Sequence, residues 1–227
     1  MNYNTFQNIL SKSLERQLAS WKQKHQNLFQ QEHLERLAKT LYAYIHKNER
    51  LFYSQPSFNE EIIEDIDLHL SVFKNIKTFH KETLENDLFQ AFKKISTASI
   101  LMILGQRLTP ASLRDKNAFP PLKKDLLQAS FVAYNHQISK ATRAWEKHVG
   151  RSQDNFWGTI KGTPEIRELK VKTIVEEILN NVTWWNVYFH YKHELVYEVR
   201  VKTGHGLRWK LSNLDLVGFV EPFDDEY

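Results

Sequence analysis

Residues 145–223 read WEKHVGRSQDNFWGTIKGTPEIRELKVKTIVEEILNNVTWWNVYFHYKHELVYEVRVKTGHGLRWKLSNLDLVGFVEPF, and a change of period inside this stretch decides the fold. Thr163-Pro164-Glu165 is a helix start: an N-cap residue, a proline at the first helical position and an acid in the first turn. Ile166, Leu169, Ile174, Val175, Ile178 and Leu179 then mark one helical face, and Asn180-Asn181 ends it. Beyond Asn181 the period becomes two. Trp185, Val187, Phe189 and Tyr191 alternate with Trp184, Asn186, Tyr188 and His190. Leu195, Tyr197, Val199 and Val201 alternate with Val196, Glu198, Arg200 and Lys202. Gly204-His205-Gly206 makes a turn in which glycine takes positive φ. Leu207, Trp209 and Leu211 alternate with Arg208 and Lys210, and Leu216–Val220 supplies a fourth strand after Ser212-Asn213. Each strand has one apolar face, which is expected to pack on the helix.

Outward from this stretch, residues 1–144 read as helix. Phe6, Leu10, Leu14, Leu18 and Trp21 recur every three to four positions. So do Leu34, Leu37, Leu41, Tyr44 and Ile45, then Ile62, Ile66, Leu70 and Phe73, then Leu84, Leu88, Phe92, Ile95 and Ile100. A break falls at Ser54–Ser57, and Ser96–Leu104, apolar on nearly all sides, reads as the central helix of a bundle. A last helix is expected from about Leu122 to His148. His25, His33, His46, His69, His80 and His136 lie on these helices without a metal-binding spacing and read as surface or satisfied core residues. Six of the seven glycines and five of the six tryptophans occur from Trp145 onward, which supports a second unit there. The expected fold is α+β: a helical bundle over 1–144, then over 145–227 a helix and a four-stranded antiparallel sheet.

Composition narrows the function classes. The 227 residues carry no cysteine, excluding disulfides and thiolate metal sites, and fit a reducing compartment, so a cytoplasmic location is expected. The N-terminus lacks the basic segment and apolar run of a secretory signal, and Ile100–Leu104 is too short to cross a bilayer. No membrane partner and no cofactor are expected. A formal charge of +4 favours anionic partners weakly.

The alternation puts Tyr188, His190, Glu198, Arg200, Lys202, Arg208 and Lys210 on the sheet face away from the helix, which is expected to be open. A carboxylate, an imidazole and several cations are what RNA cleavage without a metal needs: a base for the 2′-OH, cations for the phosphorane and an acid for the departing 5′ oxygen. The alternative is a solvated face whose Glu and Arg pairs only stabilise the sheet, by about 0.2–1 kcal/mol each. Trp184 and Tyr188, on that face, are candidates for stacking on unpaired bases, whereas Trp209 belongs to the core. The acidic tail Asp224-Asp225-Glu226 opposes phosphate binding.

A second cluster sits where the last helix gives way to Gly150: Lys147, His148 and Arg151, followed by Lys161. A histidine between cations is expected to have a lowered pKa, suited to a general base. The alternative is a basic helix end complementing the macrodipole.

The order of these pieces, KH–R–F–G, a helix ending in IL, a strand, GxGxRW and a closing GFxEP, resembles C-terminal nuclease domains of bacterial polymorphic toxins. These are similar to colicin D and more distantly to the barnase and RelE-type ribonuclease fold. The match covers about residues 144–223 and rests on Lys147, His148, Arg151, Phe156, Gly162, Ile178, Leu179, Gly204, Gly206, Arg208, Trp209, Gly218, Phe219, Glu221 and Pro222. The resemblance implies a metal-independent endoribonuclease, often acting on tRNA, with His148 catalytic and a protein inhibitor or immunity protein as a further partner. A barnase-like pairing of Glu198 with His190 competes with His148 for the role of base. The catalytic candidates are therefore His148, His190, Glu198, Arg200 and Arg208. The substrate-binding candidates are Lys147, Arg151, Lys161, Trp184, Tyr188, Lys202, His205 and Lys210. A non-catalytic RNA- or protein-binding module is the other reading.

Overall fold

The computed structural model describes residues 1–51, 56–76, 80–152 and 155–223. Ser54 and Gln55 of the expected break and the acidic tail lie outside the described residues. The chain divides into two compact units, one of Met1–Pro56, Ile62–Gln106 and Arg114–Phe119, the other of Ser57–Glu61, Arg107–Leu113 and Pro120–Tyr227.

The first unit is helical: α1 (Tyr3–Glu15), α2 (Ala19–Lys24), α3 (Gln31–Tyr42), α4 (Ile66–Leu70), α5 (Lys81–Lys94) and α6 (Thr97–Ile103). α1 packs on α3 and α5, and α6 on α3 and α4. Ile100, Leu101, Ile103 and Leu104 are all enclosed, as the uniformly apolar run predicts. The run beginning at Ile62 turns helical only at Ile66, because the Asp65 carboxylate accepts from the Asp67 N–H and caps the helix there, leaving Ile62 exposed. Three histidines are satisfied locally: His25 by Trp21 O and Thr97, His33 by Asn27 O, His69 by Ser99 and Glu64.

The second unit contains α7 (Lys123–Ser130), α8 (Lys140–Val149), α9 (Pro164–Asn180), β1 (Trp184–His190), β2 (Glu194–Arg200), β3 (Gly206–Lys210) and β4 (Leu216–Val220). One long helix over 122–148 is not formed. Asn135 Oδ1 accepts from the N–H groups of Gln137 and Ile138, and the Ser139 hydroxyl caps α8 through the Thr142 N–H. These short polar side chains compete with the helical ladder and split it in two. The strands pair antiparallel in the order β1-β2-β3-β4. Gly206 meets Arg200 in that register, and any Cβ there would stand 2.0 Å from Val199 O, so only glycine fits.

Val171, Val175, Ile178 and Leu179 of α9 are enclosed, as are Trp185, Val187, Tyr197, Val199, Leu207, Trp209 and Phe219 of the sheet. Each such side chain contributes about 1.5–3 kcal/mol by leaving water. The other sheet face, expected to be open, is covered at its Trp184–Asn186 end, while Tyr188, His190, Arg208 and Lys210 remain half-buried. Residues 107–113 run along the outer edge of β1, with Arg107 N–H donating to Trp185 O, Leu113 N–H to Val187 O and Phe189 N–H to Ala111 O. Asn186 Nδ2 donates to Ser112 Oγ, and Glu61 takes hydrogen bonds from Trp184 Nε1 and the Arg107 guanidinium.

Candidate active site

α8 ends in Lys147, His148 and Val149 before Gly150, so an imidazole and an ammonium stand at the negative end of a helix dipole. β4 runs beside α8 and delivers Phe219 and then Glu221. The His148 ring packs against Phe219 and edge-on against the fully buried Trp157. Its Nε2 lies 2.8 Å from Oε1 of Glu221. With Nε2–H donating to the carboxylate, Nδ1 is left as the acceptor of the ring.

Glu221 is tied down from several directions. Ser152 Oγ donates to Oε1 at 2.5 Å, and Trp157 Nε1 reaches both oxygens at 3.2 Å. His205 Nε2 stands 3.5 Å from Oε2. Partial burial pushes the Glu221 pKa up, but hydrogen bonds from Ser152, Trp157 and His148 outweigh it and hold the carboxyl below its usual range.

His148 also lines a cleft of about 460 Å³ between α8 and β4. Lys140, Arg143, Lys147 and Arg151 line it too, and no carboxylate does. Lys140 is engaged by Asp215 at 2.6 Å, while Lys147 and Arg151 are exposed and make no ion pair among the described residues. The cleft therefore presents cations to a phosphate backbone beside an oriented imidazole.

The sheet candidates form a separate cluster. Glu198 is fully enclosed, and its carboxylate accepts from Arg200 Nε, Arg208 Nε and Tyr188 Oη at 2.5–2.7 Å. Burial raises its pKa, and the charges of Arg200 and Arg208 bring it below the usual value. Burial, reinforced by Glu198, pushes the Tyr188 phenol up. His190 does not pair with Glu198; Arg208 Nη1 stands between them, 3.0 Å from His190 Nε2. Burial and the Arg208 charge lower the His190 pKa. Glu198 is in register with Arg208 and Gly218, whereas Phe219, against which the His148 ring packs, is in register with Leu207. The two clusters thus project from opposite faces of the sheet and do not converge as expected.

Arg200 links them. Its Nη1 donates to the backbone oxygens of Gly204 and Glu221, and its Nε holds Glu198. Trp184, expected to be exposed, is only 3% accessible, with Phe58 and Phe223 against it. Tyr188 is half-buried and commits its hydroxyl to Glu198; the exposed aromatics beside it in the chain are Phe189 and Tyr191. His205 is enclosed, bonded to Thr203 and stacked on Phe156. Lys202 lines a second cleft, Lys210 lies half-buried on β3, and Lys161 is exposed in the loop before α9. No local sequence pattern marks Ser152, Trp157, Lys140 or Arg143, and only the closing GFxEP marks Glu221. The carboxylate comes from the segment after β4, 73 residues away from His148, and no local pattern announces that meeting. Among the described residues, no group of three or more His, Cys, Asp or Glu side chains is arranged to hold a metal ion. No helix among them is long and apolar enough to cross a membrane.

Residues 127–221 match the model of the family described as the CdiA C-terminal tRNase toxin domain. That segment, which contains α8, α9 and the whole sheet, is a C-terminal tRNase toxin domain of the polymorphic-toxin kind. Neither the curated proteins nor the solved structures returned a match.

Proposed function

We propose that this tRNase toxin domain cleaves tRNA without a metal ion, in the basic cleft between α8 and β4, with His148 as the base. The observation that carries this reading is one side chain in two environments: His148 lines a cleft of four cations while Glu221 holds its Nε2 at 2.8 Å. Glu221 sets the tautomer and leaves Nδ1 to take the 2′-OH proton. The 2′ oxygen attacks phosphorus, the bond to the 5′ oxygen breaks, and water supplies the proton with which that oxygen leaves. Lys147 and Arg151 lie against the phosphate and stabilise the charge of the phosphorane; one well-placed donor of this kind is worth roughly 3–4 kcal/mol.

On this reading Glu198 is not the base, since its carboxylate is enclosed and saturated by Arg200, Arg208 and Tyr188. Arg200 is a positioning residue that fixes the backbone carrying Glu221. A protein inhibitor of the kind the family implies would act by laying an acidic surface over the basic cleft.

The test is incubation of the purified full chain with total tRNA in excess EDTA. Discrete fragments ending in a 2′,3′-cyclic phosphate are expected, and His148→Ala is expected to slow their formation at least ~100-fold. Intact tRNA after long incubation, or undiminished cleavage by His148→Ala, overturns the proposal.

A further inference from the structure

The contacts that begin at His148 do not end at Glu221. Glu221 Oε2 stands against His205, and the His205 ring lies parallel to Phe156, 3.8 Å away with 3° between the planes. His205 Nδ1 is bonded to the Thr203 hydroxyl at 2.9 Å. Phe156 and Thr203 are in turn walls of a second cleft of about 450 Å³. Its other walls are Ile174 and Ile178 of α9 and Val201 beyond β2, with the exposed Glu177, Asn181 and Lys202 around them.

The two clefts differ in chemistry. The first is lined by four Lys or Arg and no carboxylate, which suits a polyanion. The second has a partly exposed aromatic ring, aliphatic walls and a mixed set of polar groups. Asn181 Nδ2 is held by Glu177 O at 2.8 Å, so that amide is fixed in place. An aromatic wall with a carboxylate, an amide and an ammonium nearby matches a flat, uncharged ring whose edge carries both donors and acceptors.

We infer that this second cleft is a nucleobase subsite: it receives the base of a nucleotide flanking the phosphodiester at His148, stacked against Phe156. This rests on the ribonuclease reading above and adds to it the feature that selects among RNA sequences. The Phe156–His205–Glu221–His148 series joins base recognition to the reacting imidazole through three consecutive side-chain contacts. Lys202 and Glu177 read the base edge, as donor and acceptor.

The full chain, labelled with ¹³C at its isoleucine methyls, is titrated with cytidine, uridine and adenosine, which carry no phosphate. At least one nucleoside is expected to move the Ile174 and Ile178 methyls to saturation. Phe156→Leu is expected to weaken that binding roughly tenfold or more, and Phe156→Tyr to retain it. Inorganic phosphate leaves these methyls unmoved. If no nucleoside moves them, if only phosphate does, or if Phe156→Leu binds as the parent does, the subsite is wrong. Cleavage of tRNA, assayed beside the titration, separates the two readings. A chain that cleaves tRNA yet fails the nucleoside titration keeps its ribonuclease function and loses the subsite. A chain that binds nucleosides at these methyls without cleaving tRNA keeps the subsite as a base-binding cleft and loses the ribonuclease reading.

Discussion

His148 Nε2 and Glu221 Oε1 lie 2.8 Å apart although 73 residues separate them in the chain. One residue ends a helix and the other follows an edge strand, so the pair exists only once α8 has docked on β4. Its two members have different duties, and substitution distinguishes them.

Glu221→Gln keeps the shape of the partner and removes its charge. The amide holds the imidazole less firmly and no longer favours the imidazolium that forms as the 2′-OH proton arrives. Single-turnover cleavage of tRNA in EDTA is expected to slow by roughly 10²-fold with KM little changed. A rate within twofold of the parent removes Glu221 from the mechanism.

Lys147 and Arg151 act through charge alone. Each of Lys147→Ala and Arg151→Ala is expected to lower kcat by roughly 10²-fold, through the lost stabilisation of the phosphorane, and to raise KM as well. Each should also reduce the slope of log affinity against log salt by about 0.7–0.9, the contribution of one phosphate contact. Filter binding of tRNA to a His148→Ala background, over a range of salt concentrations, measures this without interference from cleavage. Unchanged slopes in both variants would place the phosphate elsewhere.

Glu198 is expected to govern stability first. Glu198→Ala leaves the guanidinium groups of Arg200 and Arg208 facing each other in an enclosed site without their shared carboxylate. Removing one member of a buried charge network costs about 3–5 kcal/mol. Urea unfolding followed by tryptophan fluorescence reads this directly. A variant as stable as the parent shows that the network is not needed to hold the sheet. Arg200→Lys tests positioning: the ammonium cannot hold Glu198 and Glu221 O together, so kcat should fall while tRNA binding is retained.

The Glu221 carboxyl is held below its ordinary value in the folded chain by Ser152, Trp157 and His148 acting against burial. A depressed folded pKa means that the ionised group stabilises the fold above the unfolded value of about 4.3, and that this contribution fades as pH falls through the folded pKa. The difference in Tm between the parent and Glu221→Gln is therefore expected at pH 6–7 and should shrink steadily below about pH 4.3. A difference that grows as the solution is acidified contradicts this assignment.

Much of the fold was legible in local patterns. The alternation from Trp184 to Val220 placed four strands where four strands form, and Thr163-Pro164 placed the start of α9. The strand period also assigned Glu198, Arg200 and Arg208 to one face, where they meet. Less was legible where short polar side chains intervened. Asn135 and Ser139 split the expected last helix because their hydrogen bonds to nearby backbone compete with the helical ladder, an effect that apolar spacing does not register.

The sequence by itself determined the periods, the turns and the basic end of α8, together with the order of pieces that resembles a toxin nuclease. Each of these depends on residues close together in the chain. Only the tertiary structure decided that the Trp184–Asn186 end of the polar sheet face is covered by residues 57–61 and 107–113, and that Glu221 rather than Glu198 stands beside His148. Period two says which side chains share a face. Whether that face meets water or another segment depends on a distant stretch of chain returning to it, and such a return leaves no trace in local spacing.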